Sequence, residues 1–98
     1  MNINKTINGS TLTVAVEGRL DTVTAPQLEK ELKGSLDGVK ELILDFAKLD
    51  YISSAGLRVL NSTQKIMAKQ GSMKVINVND IVGEVFEITG FSEIFNIV

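Results

Sequence analysis

The sequence predicts a small α/β domain: a mostly parallel sheet of about five strands, an antiparallel N-terminal edge strand, and helices packed on the sheet. Three observations carry that expectation. The chain is 98 residues long, which is one domain over residues 1–98 with an ordinary small core and no room for a second. Its N-terminal third alternates apolar and polar residues with period two, the mark of a half-buried strand pair. The remainder alternates short apolar runs with helical stripes, two successive strand–helix–strand units whose right-handed crossovers make neighbouring strands parallel.

Each element has its own local reason. Ile3–Ile7 is a short strand, and Asn8-Gly9 after it is a hairpin signal, because a type I′ turn needs residues that tolerate positive φ. Leu12, Val14 and Val16 form the apolar face of the second strand, which Gly18 is expected to end. Thr24 and Gln27 stand at the reciprocal positions of a capping box, with Pro26 in the tolerant first turn. Ala25, Leu28, Leu32 and Leu36 make one apolar stripe, with Glu29, Lys30, Glu31 and Lys33 on the wet side and Gly38 closing the unit. Leu42-Ile43-Leu44 lacks alternation and is expected to be a strand covered on both faces. Lys48–Ser53 is expected to be a connecting loop. A second helix spans Ser54 to Gln70, with Leu57, Leu60, Thr63 and Met67 on one face and Gly71 as its C-terminal stop. Lys74–Val78 is a strand, Asn79-Asp80 opens a short helix that Gly90 ends, and Ile94–Val98 is a last strand or docked tail.

Composition closes off most chemistry. The chain has no Cys, hence no disulfide, no thiolate and no Cys-based metal site. It has no His, the commonest general base and metal ligand. Ten basic against twelve acidic residues, net −2, give no electrostatic footprint for nucleic acid or an anionic membrane. Neither G-x-x-x-x-G-K-[ST] nor G-x-G-x-x-G occurs, so there is no phosphate cradle. No cofactor and no metal are expected, and a Ser nucleophile would lack an activating base. The N-terminus has no apolar signal-peptide core and no run is long enough to span a bilayer, which fits a cytoplasmic, free-standing protein.

Ligands of open α/β sheets meet the chain beyond the carboxyl ends of the strands. Asp21, Asp45, Asp50, Ser53 and Ser54 fall there. The ordinary reading of Ser54 is a helix cap, and of Asp21 and Asp45 turn residues. Gly56, inside a helix, either admits a partner's close approach or relieves internal packing. Leu57 is expected in the core, and Arg58 is exposed on the helix.

Two stretches then carry a resemblance. Glu41-Leu42-Ile43-Leu44-Asp45-Phe46 followed by Leu49-Asp50-Tyr51-Ile52-Ser53-Ser54-Ala55-Gly56-Leu57, with Gly18-Arg19-Leu20-Asp21 and Thr24-Ala25 upstream, resembles the signature of the STAS family, specifically the bacterial anti-sigma factor antagonists. The resemblance spans nearly the whole chain. It implies a STAS-like fold and a non-enzymatic binding module. The implied partner is an anti-sigma factor that is also a serine/threonine kinase, from which binding frees a sigma factor. The phosphorylated serine, two places before Gly-Leu, falls on Ser54, and a PP2C-type phosphatase resets it. Ser53 stands where many members have Asp, which leaves it as a second candidate hydroxyl. The implied partner-binding residues are Asp21, Ser53, Ser54, Ala55, Gly56 and Arg58. Phosphate on Ser54 is expected to meet the free amides of Gly56 and Leu57 and to block binding locally, without refolding. The alternative is a STAS scaffold or signalling module with another partner and no phosphorylation switch.

Overall fold

The computed structural model describes residues 1–98. β1 (Asn2–Asn8) and β2 (Thr11–Leu20) form the antiparallel hairpin, with Asn8 opposite Thr11. The two turn residues are therefore Gly9 and Ser10, not Asn8 and Gly9. Only Gly9 of these has positive φ, +63°, the pattern of a type II′ turn rather than I′.

The remaining elements are α1 (Ala25–Lys33), β3 (Glu41–Asp45), β4 (Leu49–Ile52), α2 (Ser54–Gln70), β5 (Ser72–Ile76), α3 (Asp80–Thr89), a 3-10 turn (Phe91–Glu93) and β6 (Asn96–Ile97). The sheet has six strands in the order β1-β2-β3-β5-β6, with β4 beside β2. Every pairing except β1–β2 is parallel.

The segment expected as a loop over Lys48–Ser53 contains strand β4. It escapes local reading because it is four residues long and its middle, Asp50 and Tyr51, is polar or half-exposed. Its partner lies some 30 residues earlier. β3 occupies the first half of one edge of β2, Thr11 to Ala15, and β4 takes up the same edge at Gly18 to Leu20. Gly18 does not end the strand. It sits at φ +102° where the register shifts, and β2 runs on to Leu20.

α1 is shorter than its stripe. It stops at Lys33, yet Leu36 and Val39 in the following connection are still buried. Gln70 Nε2 ties that connection down by donating to the carbonyls of Leu36 (2.6 Å) and Val39 (2.7 Å). Gly71 stops α2 for a reason other than left-handed geometry. Its φ is 177°, and a Cβ there would land on the Lys40 carbonyl oxygen.

Burial alternates along β2, β3 and β5: Leu12, Val14, Val16, Leu42, Leu44, Met73 and Val75 point inward, and their neighbours are half-exposed or exposed. Ile43 is among the half-exposed, so β3 is covered on one face, not two. A single core cluster joins that face to α1, α2 and α3 through residues such as Leu28, Leu32, Leu57, Leu60, Met67, Val82 and Phe86. The C-terminal segment docks through Phe95, edge-to-face with Phe86 at 5.6 Å and stacked on Phe91 at 5.1 Å.

Candidate functional site

The β2–β4 pairing builds the site. Leu20 lies opposite Ile52, and the Ser53 N–H donates to the Leu20 carbonyl at 2.8 Å. The chain therefore leaves β2 into the Asp21 turn and leaves β4 into Ser53–Ser54 side by side. Asp21, Ser53 and Ser54, distant in sequence, share one rim.

The Asp21 turn is held by its own side chains. Asp21 Oδ1 accepts from the N–H groups of Val23 (3.0 Å) and Thr24 (3.1 Å). The Thr24 hydroxyl donates to the Arg19 carbonyl at 2.7 Å and accepts from the Asp21 N–H at 2.9 Å. The expected capping box is absent: Thr24 makes no side-chain bond to the first turn of α1, because its hydroxyl is spent on the loop before it. The Thr24 amide above all, then the Val23 amide, the Thr24 hydroxyl and the Arg19 charge hold the Asp21 carboxyl below its ordinary value. The Arg19 guanidinium lies 3.9 Å from Asp21 Oδ2 and 4.5 Å from the centre of the Tyr51 ring. Tyr51 had no visible role in the sequence, since its facing of Arg19 depends on the unforeseen strand β4.

Ser53, not Ser54, holds the N-cap position of α2. Its backbone is extended (φ −102°, ψ 176°) and its carbonyl accepts the Leu57 N–H at 3.0 Å. Leu57 is thus not free to receive a phosphate, contrary to expectation. The amides left without a helical partner are those of Ser54, Ala55 and Gly56. The Ser53 hydroxyl does not cap them. It is shielded from solvent and has no hydrogen-bond partner.

Ser54 is the first residue of the helix and is exposed. Ala55 is half-buried and Arg58 is exposed. Gly56 is buried, and a Cβ on it would stand 2.7 Å from Leu20 Cγ and 2.9 Å from Ile52 Cγ1. The packing reading of this glycine therefore holds: α2 comes down onto the β2–β4 pair at that point. Beside the rim, Thr22, Pro26, Glu29, Ala55, Arg58 and Ser62 line a groove of about 320 Å³ between α1 and α2.

The other two aspartates stand apart. Asp45 Oδ1 accepts from the Ala47 N–H and from Asn77 Nδ2, both at 3.0 Å, which makes it the pin of the β3–β4 turn. Asp50 is exposed in the middle of β4.

A model of the STAS domain matches residues 2–98. The chain belongs to the STAS domain family. Among the relatives of this STAS domain is the Bordetella bronchiseptica protein named "Putative anti-sigma factor antagonist BtrV", 42% identical over 86 residues, which are 86% of this chain and 74% of that protein. The anti-sigma-B factor antagonist of Staphylococcus aureus is 29% identical over 99 residues, covering 99% of this chain and 92% of that one. The crystal structure of an anti-sigma factor antagonist from Mycobacterium paratuberculosis superposes with a TM-score of 0.89 at 24% identity, over 98% of this chain and 83% of that one. No helix of this STAS domain is long and apolar enough to cross a membrane.

Proposed function

We propose that this STAS domain is an anti-sigma factor antagonist: a cytoplasmic, non-enzymatic protein that binds an anti-sigma factor with serine kinase activity, frees a sigma factor, and is switched off by phosphorylation of Ser54. One observation carries the reading. An exposed serine stands at the first position of α2, on a rim shared with Asp21 and flanked by Arg58. The names of the two sequence relatives support the class of partner. The partner surface is the rim itself: Asp21, Ser53, Ser54, Ala55 and Arg58, with Gly56 beneath it bringing the helix down close. A PP2C-type phosphatase restores the binding form.

The switch is local. Phosphate adds about −1.5 to −2 charges and three acceptor oxygens. The positive end of the helix dipole tolerates these charges, whereas an apposed protein surface carrying carboxylates or apolar groups does not.

The test is to incubate the protein with the anti-sigma kinase of its own host and ATP, map the product by mass spectrometry, and measure binding before and after. One phosphoryl group on Ser54, absent in Ser54→Ala, with loss of binding on modification, is expected. Phosphate on Ser53 would move the switch residue by one. Binding with no phosphorylation would favour the unswitched scaffold.

A further inference from the structure

Arg58 follows Ser54 by four residues on α2, so the two side chains lie on the same face one turn apart. Long helical side chains lean back toward the helix N-terminus, which carries the Arg58 guanidinium toward Ser54 rather than away from it. Arg58 is exposed, and it takes part in none of the five ion pairs of the structure and in none of its side-chain hydrogen bonds. The other arginine of the rim is engaged: Arg19 lies between Asp21 and the Tyr51 ring.

The charges around the Ser54–Arg58 face are few. Asp21 stands on the neighbouring turn, but one of its oxygens is occupied by the Val23 and Thr24 amides and the other faces Arg19. Glu29 reaches the same groove from α1 and lies 3.9 Å from Lys33 Nζ. Each carboxylate already has a donor or a cation of its own. Arg58 has none.

We propose that Arg58 is the intrahelical receiver of the Ser54 phosphate, holding it against the mouth of the α1–α2 groove through a bidentate, charge-assisted contact. This inference rests on the proposed phosphorylation of Ser54 and assigns what happens to the phosphate once it is there. The guanidinium is planar and always charged, and it matches two phosphate oxygens at once. Modification of Ser54 then has two effects on the rim. It adds a dianion, and it withdraws the free guanidinium from whatever a partner would offer it.

The test needs no kinase. Phosphoserine is placed at position 54 during translation, and its 31P resonance is followed against pH in the wild-type background and in Arg58→Gln, Arg58→Lys and Lys65→Gln. An ordinary phosphoserine loses its second proton near pH 6. Pairing with Arg58 favours the dianion, so the wild-type midpoint is expected about 0.2–0.4 unit below that of Arg58→Gln. Arg58→Lys should fall between them. Lys65→Gln removes the same charge farther along the helix and should leave the midpoint unmoved. Equal midpoints in wild type and Arg58→Gln would overturn the proposal, and so would an equal shift in Lys65→Gln. Since the phosphate is installed directly, such a failure leaves the phosphorylation reading untouched. Absence of kinase labelling at Ser54 would sink that reading instead.

Discussion

The Ser53 hydroxyl occupies a cap position without capping. A serine at this position normally contributes about 1 kcal/mol through its bond to a first-turn amide, and replacing it by alanine forfeits that. Here the hydroxyl is shielded and unpaired, so there is no such bond to lose. Ser53→Ala is therefore expected to change stability by less than about 0.5 kcal/mol, or to raise it slightly, in urea denaturation. A loss of 1 kcal/mol or more would mean that the hydroxyl caps after all. Gly56→Ala should act in the opposite sense. Alanine gains about 1 kcal/mol in helix propensity, but overpacking against Leu20 and Ile52 costs about 1–3 kcal/mol, so a net loss near 1 kcal/mol is expected in the same assay. Asp21 sets a pH dependence. Its folded carboxyl is held below the unfolded value near 3.9, so the stability it contributes is fully present above that value. That contribution disappears as pH falls through the folded value. The stability difference between wild type and Asp21→Ala should thus be constant from pH 7 to 5 and shrink below pH 4. A difference unchanged down to pH 2.5 would show that the carboxylate charge is not what matters.

Among the elements, the start of α3 is legible from its own residues. Asn79 accepts the Val82 N–H at 2.8 Å and its amide donates to the Leu49 carbonyl at 2.7 Å, so one side chain both caps α3 and joins it to β4. Asn79→Ala should cost about 1–2 kcal/mol, seen as a lower urea midpoint at unchanged slope. A changed slope would instead indicate that α3 has detached. α2 is equally legible, because four turns of amphipathic stripe between a Ser pair and Gly71 leave no other reading. α1 and β4 were not. The α1 stripe continues through Leu36 after the helix has ended, since burial needs only an inward-pointing side chain and Gln70 satisfies the non-helical carbonyls. β4 carries an exposed Asp50 and is a strand only because the end of β2 is there to pair with it.

For the whole molecule, all three helices pack on one face of the sheet, and the rim lies at one end of it. β3 is central, flanked by β2 and β5, with Leu42 and Leu44 fully buried. Its amides are expected to exchange slowest with solvent, and those of the two-residue edge strand β6 much faster. Protection of β6 equal to that of β3 would require that the C-terminal segment opens only with global unfolding. The same architecture implies that a phosphate on Ser54 perturbs the head of α2, the Asp21 turn and Arg58 while leaving β3 and β5 unmoved. Amide shifts spreading across the sheet on phosphorylation would refute a local switch.

The sequence alone determined the class of fold, the helical spans of α2 and α3, and the motif that places Ser54 at a helix head, because each rests on periodicity or on residues within one turn of each other. Tertiary structure decided which serine caps and which is exposed, why Gly56 and Gly71 are glycine, and that Asp45 is taken up by Ala47 and Asn77. Those outcomes hang on the pairing of β4 with the far end of β2, on the close approach of Gly71 to Lys40 and on the bond from Asn77 to Asp45. All are contacts between segments about 30 residues apart, and no local pattern encodes them.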